Sequence, residues 1–162
     1  MKKTYSATSL VHGAFAAALY IVLTYLANMS GLANSPIQVR FSEALCILPA
    51  FFPSAIWGLF AGCLISNLLT GCVLIDVILG SVATLIGAIG TYLLKQHPSL
   101  MVLPPIIANI IIVPPILAYV YKFEGSFWYF VITVGIGELI SCGALGFMLY
   151  RLLSRYRTVI FK

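Results

Sequence analysis

Charge is almost missing from this sequence. Of its 162 residues, 8% are charged and 62% are hydrophobic, against about 25% charged residues in a soluble domain. So few ionic groups cannot cover a water-facing surface. The apolar runs reach roughly 20 residues, the length that crosses a hydrocarbon core of about 30 Å. A membrane β-barrel needs apolar and polar positions to alternate, and the stretches Ile110–Val113 and Ile86–Leu94 do not. The expected fold is an all-α integral membrane protein. No long hydrophilic loop interrupts the runs, so residues 1–162 are expected to form a single transmembrane domain.

Six spans are expected: Thr8 to Met29, Phe41 to Phe52, Ser54 to Thr70, Leu74 to Leu94, Leu100 to Tyr121 and Phe127 to Leu153. Lys2 and Lys3 ahead of an apolar run look like a signal peptide. That run continues too far and shows no small-residue cleavage site, so it is read as a retained first span. Phe41 to Thr70 as one helix would be roughly 45 Å long, too much for the core, and Pro49 and Pro53 interrupt it. The excess of basic residues on the cytoplasmic side of membranes sets the orientation. With six spans and both termini inside, Lys2, Lys3, Lys95, Arg151, Arg155, Arg157 and Lys162 are cytoplasmic, while Arg40 and Lys122 face out. Five spans divide the same nine residues six against three, a weaker bias.

The net charge of +5 sits at the chain ends and between apolar runs, with no basic stripe carrying interleaved aromatics, so nucleic acid is not an expected partner. Cys46, Cys63, Cys72 and Cys142 form no C-x-x-C pair and read as small packing residues. There is no P-loop, no H-E-x-x-H and no G-x-S-x-G. His12 and His97 lie far apart. An enzyme is not expected, and neither is a metal or cofactor.

Ionisable groups inside a membrane cost about 2.5–3.5 kcal/mol on insertion scales, so each one points to function. The four acids are Glu43, Asp76, Glu124 and Glu138. Glu124 falls in an outer loop and reads as solvated. The plain alternatives are that Glu43 pairs with Arg40, that Asp76 caps the fourth span, and that Glu138 makes only a helix–helix hydrogen bond. Arg40, Glu43, Asn67, Asp76, Asn109 and Glu138 all belong to the outer half or middle of the membrane. That asymmetry suggests a pocket open to the outside, since a channel wants polar lining along its whole length. Pro104-Pro105 and Pro114-Pro115 in the fifth span are expected to strip hydrogen bonds from the carbonyls of Leu100, Met101, Ile110 and Ile111, with Asn109 at the resulting bend. Ala14 with Ala18, Gly13 with Ala17, and Gly58 with Gly62 are small-x-x-x-small pairs that favour close helix approach. They serve internal packing or present a docking face for another membrane protein.

The stretches Ile37 to Pro49 (IQVRFSEALCILP), Gly58 to Gly71 (GLFAGCLISNLLTG), Asp76 to Ser81, Asn109 to Pro115 and Gly135 to Cys142 resemble the QueT family, over nearly the whole chain. The Pro114-Pro115 pair departs from the expected proline followed by an apolar residue. The resemblance implies a six-helix substrate-binding S-component of an energy-coupling factor (ECF) importer in a bacterial cytoplasmic membrane. It implies a deazaguanine ligand, a precursor of queuosine, taken up from outside. It also implies a transmembrane coupling subunit and two ATPase subunits as partners. Ala14 and Ala18 would then dock the coupling subunit, and Ser30 to Gln38 would cover the pocket.

A deazaguanine presents a ring N–H and an exocyclic amine side by side, which a carboxylate accepts in a paired geometry. Glu138 or Glu43 can supply it, and Asn67 or Asn109 can meet the remaining groups. Phe41, Trp57, Tyr119 or Trp128 can stack the flat base at about 1–3 kcal/mol. A cationic aminomethyl arm can use Asp76. The alternatives are an S-component for another vitamin such as thiamin, or a structural membrane subunit.

Overall fold

In the computed structural model, residues 7–31 and 39–156 are described, and among them the chain forms six helical rods and no strand. They are α1 (Ala7–Met29), a 3-10 helix (Phe41–Ala50), α2 (Ala55–Leu69), α3 (Leu74–Leu93), α4 (Leu103–Pro115) and α5 (Phe127–Glu138). The α4 rod runs on as a π-helical segment, Ile116–Val120. The α5 rod runs on through a π-helical segment, Leu139–Gly146, into α6 (Phe147–Arg155). Four rods, Ala7–Met29, Leu74–Leu93, Leu103–Val120 and Phe127–Arg155, are long and apolar enough to cross a membrane. The chain is a helical membrane protein. Large apolar side chains such as Leu93, Ile111 and Met148 stand exposed on its flanks, where lipid and not water is the solvent.

The expected second and third spans are shorter than the rest. At about 2.0 Å per residue, the ten residues of the 3-10 helix extend roughly 20 Å. The fifteen of α2 extend about 23 Å at 1.5 Å each. The 3-10 helix is the centre of the bundle: Ser42 through Pro49 are all buried, and it packs against α1, α2, α3, α6 and the Leu139–Gly146 segment. A rod enclosed on every side has no polar face, which explains its unbroken apolar sequence around Glu43.

The small-residue pairs divide by role. A Cβ on Gly58 would lie 2.3 Å from the Gly13 carbonyl oxygen, and one on Gly62 would lie 2.9 Å from that of Ala17. Gly13, Ala17, Gly58 and Gly62 therefore hold α1 against α2 with their backbones nearly touching. Ala14 and Ala18 point away from this contact and are exposed.

The first proline pair does not do what the sequence suggests. Pro104 and Pro105 sit in the first turn of α4, where an amide hydrogen has no helical partner anyway. The Leu100 carbonyl accepts from the Leu103 amide at 3.1 Å. That of Met101 accepts from the Thr91 hydroxyl at 2.8 Å. The two rings fill a notch at Gly87 and Gly90, where a Cβ would come within 2.6 Å of Pro105 and 2.3 Å of Pro104. The second pair does disturb its helix. After Pro114 and Pro115 the winding widens, and the Tyr121 amide donates to the Ile116 carbonyl, five residues back, at 3.0 Å.

Candidate functional site

Polar side chains gather at one end of the bundle. This end is built from the last turns of α1, the start of the 3-10 helix, the end of α2, the start of α3 and the far end of the α4 rod. It is opposite the end that carries Lys95, Arg151 and Arg155, because α3 and α6 run away from it. The α2 terminus is shaped by Gly71, whose positive φ of 77° lets the chain fold back. The Gly71 amide donates to Leu68 and the Cys72 amide to the Asn67 carbonyl, at 3.2 and 3.0 Å. This pattern closes a helix and turns it at once.

Between these elements lies a cavity of about 210 Å³, lined by Thr24, Asn28, Arg40, Asn67, Thr70, Asp76, Tyr121 and Phe123 among others. Val113, Leu117 and Tyr121, spaced by four residues across the proline-induced widening, form one wall. Tyr121 clasps two rods together. Its hydroxyl donates to Asp76 Oδ2 at 2.9 Å and accepts from the Val73 amide at 3.2 Å. Its ring stacks on Phe123, with centroids 5.4 Å apart. Asp76 lies in the first turn of α3, a favourable place for a carboxylate. The N-cap position is Val73, with no side-chain cap bond, so the reading of Asp76 as a helix cap gives way to a tertiary contact.

A second chamber of about 20 Å³ adjoins the first, lined by Arg40, Asn109, Val113, Val134 and Glu138. Arg40 and Val113 line both chambers. Arg40 is held by its backbone, whose amide donates to the Ser141 hydroxyl at 3.1 Å. Glu138 ends α5 where the winding passes into the π-helical segment. The Asn109 amide is its side-chain hydrogen-bond neighbour, while Glu138 Oε2 is buried with no hydrogen-bond partner among the described residues. Leaving a buried polar atom unmatched costs about 1–3 kcal/mol, more when it is charged.

The six expected site residues are thus sorted by the fold. Arg40, Asn67 and Asp76 line the larger cavity; Arg40, Asn109 and Glu138 line the smaller. Glu43 lines neither. Its Oε1 accepts from the Tyr20 hydroxyl of α1, and its Oε2 from the Cys46 thiol at 3.2 Å. The side-chain contacts of Glu43 are therefore a brace to α1, and neither the expected place in the pocket nor the alternative pairing with Arg40. The stacking candidates fare differently as well. Trp57, Tyr119 and Trp128 are 59%, 73% and 69% exposed on the outer surface, and Phe41 lines neither chamber. Tyr121 and Phe123 take that place. Thr24, Asn28 and Thr70 were also missed. Their signal was available: each is a polar residue near a rod's end on the pocket side. The Ser30 to Gln38 cover falls largely on residues 32–38, which lie outside the described residues, as do Lys2, Lys3, Arg157 and Lys162. Among the described residues, no group of His, Cys, Asp or Glu is arranged to hold a metal ion.

A model of the QueT transporter family matches residues 10–155. The chain belongs to the QueT family. The queuosine precursor transporter QueT of Lactococcus lactis subsp. cremoris (strain MG1363) is 38% identical over 84 residues, which cover 52% of this chain and 47% of that protein. The aligned stretch thus spans about half the length of the relative. No solved structure matches the chain. Within the QueT family, then, this member carries at one end of its bundle a cavity lined by Asp76 and Arg40 and a small chamber lined by Glu138 and Arg40.

Proposed function

We propose that this chain is the substrate-binding membrane subunit of an energy-coupling factor importer and captures a queuosine precursor, a deazaguanine base, from outside the cell. The observation that carries the reading is the pair of adjoining chambers, polar and confined to one end of an otherwise apolar bundle, in a chain of the QueT transporter family. The larger chamber, at about 210 Å³, has room for a small bicyclic base. Carboxylate, guanidinium and amide groups meet the donors and acceptors of such a base, and Tyr121 and Phe123 offer ring faces.

Orientation follows from charge. Lys95, Arg151 and Arg155 mark the end opposite the cavity, and the basic bias of cytoplasmic loops supports an outward-facing pocket with both termini inside a bacterial cytoplasmic membrane. The single domain then works as a carrier without ATPase motifs. ATP hydrolysis belongs to two partner subunits, and a transmembrane coupling subunit docks on the exposed Ala14 and Ala18 face of α1. Ala14 borders an open groove of about 480 Å³ with Leu10, Ser54, Trp57 and Ala61, on the half of the bundle away from the ligand.

The test is a calorimetric titration of the purified chain in detergent with aminomethyl-deazaguanine, with guanine and thiamin as controls. Selective binding without any ATPase subunit is expected. Thiamin binding in place of the deazaguanine would move the protein to a different vitamin. A folded sample that binds none of them would overturn the proposal.

A further inference from the structure

We propose that the slot between α1 and α6 is a phospholipid site, which takes one acyl chain of an anionic lipid and sets its headgroup at the basic end of the bundle. The site lies in the half of the bundle away from the polar cavity. It stands on the membrane fold and the charge distribution, and not on the identity of the ligand.

The slot has a volume of about 230 Å³. Both α1 and α6 pack on the 3-10 helix, so that helix is the floor and the two rods are the walls. The lining falls in axial order. His12 of α1, Leu153 of α6 and Phe52, just past the 3-10 helix, lie toward the basic end. Leu19, Leu45 and Leu149 lie toward the middle of the bundle. From His12 to Leu19 the slot runs about 10 Å, at 1.5 Å per residue of α1. Among the described residues that line it, His12 is the polar one. Its ring is partly buried and tilted against Phe52, with centroids 5.4 Å apart. An apolar trough that ends in a hydrogen-bonding ring matches a phospholipid, whose chain gives way to ester and phosphate oxygens at one end. Lipid is the solvent on this flank, and an empty trough would forfeit the dispersion contacts of its lining.

Charge selects the headgroup. Lys95, Arg151 and Arg155 stand exposed at this end, Arg155 in the last turn of α6. The chain's four acids, Glu43, Asp76, Glu124 and Glu138, all lie in the half nearer the cavity. The end at which His12 sits therefore carries cations and, among the described residues, no carboxylate side chain. Basic clusters at a membrane face attract anionic lipid headgroups. The groove at Ala14, between α1 and α2, lacks this layout: Ser9 and Ser54 are its polar side chains, and no ionisable group lines it.

The experiment is native mass spectrometry of the full chain, purified in detergent and mixed with phosphatidylglycerol or phosphatidylcholine of matched acyl chains. One retained phosphatidylglycerol per chain is expected, bound about 10-fold or more tightly than phosphatidylcholine. Leu149→Trp fills the slot from the α6 wall and is expected to weaken that adduct about 10-fold or more. Ile111→Trp adds the same ring on a flank outside the slot, where Ile111 is exposed, and should leave the adduct unchanged. Arg151→Gln combined with Arg155→Gln should bring phosphatidylglycerol down toward the level of phosphatidylcholine. In thermal melts phosphatidylglycerol should raise the melting temperature of the wild type by mass action, and not that of Leu149→Trp. The same melts establish that each variant is folded. If Leu149→Trp does not fold, Leu19→Trp fills the slot from the α1 wall. A ladder of adducts with no favoured first step, or undiminished retention in a folded slot-filling variant, would overturn the site. Equal affinities of the wild type for the two lipids would overturn the anionic headgroup.

Discussion

Glu43 and Glu138 are both glutamates buried in apolar helices, and their surroundings give them different work. Glu43 is enclosed by the 3-10 helix and α1, with both oxygens engaged by Tyr20 and Cys46. Glu138 faces a small chamber with one oxygen unmatched. Tyr20 should therefore matter to stability and not to recognition. Tyr20→Phe removes a donor from a buried carboxylate and is expected to destabilise the protein by about 1–3 kcal/mol. A lowered melting temperature in detergent should accompany an affinity, in the protein that stays folded, within about 3-fold of wild type. An affinity loss of about 10-fold or more, at an unchanged melting temperature, would move Glu43 into the ligand's contact set.

At the scale of elements, close backbone approach fixes two of the contacts between rods. Gly58 and Gly62 meet α1, and Gly87 and Gly90 receive the Pro104-Pro105 ledge of α4. Gly58→Ala places a methyl group 2.3 Å from the Gly13 carbonyl oxygen, a backbone atom that cannot turn aside, and is expected to cost about 1–3 kcal/mol. Gly135→Ala is the contrasting case. Its new Cβ would lie 3.4 Å from the flexible Ile110 Cδ1, so the melting temperature should barely move. Thr91→Val tests the proline ledge from the other side. It keeps the shape of the side chain and strands the buried Met101 carbonyl, for an expected loss of about 1–3 kcal/mol in the same melt. A melting temperature unchanged in Thr91→Val would mean that the carbonyl finds another donor.

For the whole molecule, the central question is which end faces out. The turn that holds Gln96 and the turn that holds Glu124 lie at opposite ends of the α4 rod, and both residues are exposed. Cys46, Cys63 and Cys142 are buried, while Cys72 is partly accessible, so Cys72→Ser provides a quiet background for labelling. In intact cells a membrane-impermeant maleimide is expected to react with a cysteine introduced by Glu124→Cys. A cysteine introduced by Gln96→Cys should react only after the membrane is opened. The reverse pattern would turn the cavity toward the cytoplasm and remove the basis for uptake from outside.

Much of this protein was legible in one dimension. The scarcity of charge set the solvent, because every position on the flanks of the bundle must tolerate lipid. The six rods follow the punctuation at Gly31, Pro53, Gly71, Lys95 and Lys122, since chain reversals leave local marks. The polar residues of the site could be named for the same reason: a polar group within an apolar run is visible without knowing what it touches. Where each side chain points was not visible. The rotation of a helix is decided by its neighbours, and only packing could turn Glu43 toward Tyr20 and Glu138 toward Arg40. The same holds for the prolines. Their missing amides are written in the sequence, but the Thr91 hydroxyl that compensates the Met101 carbonyl reaches it only once α3 packs against the segment that leads into α4.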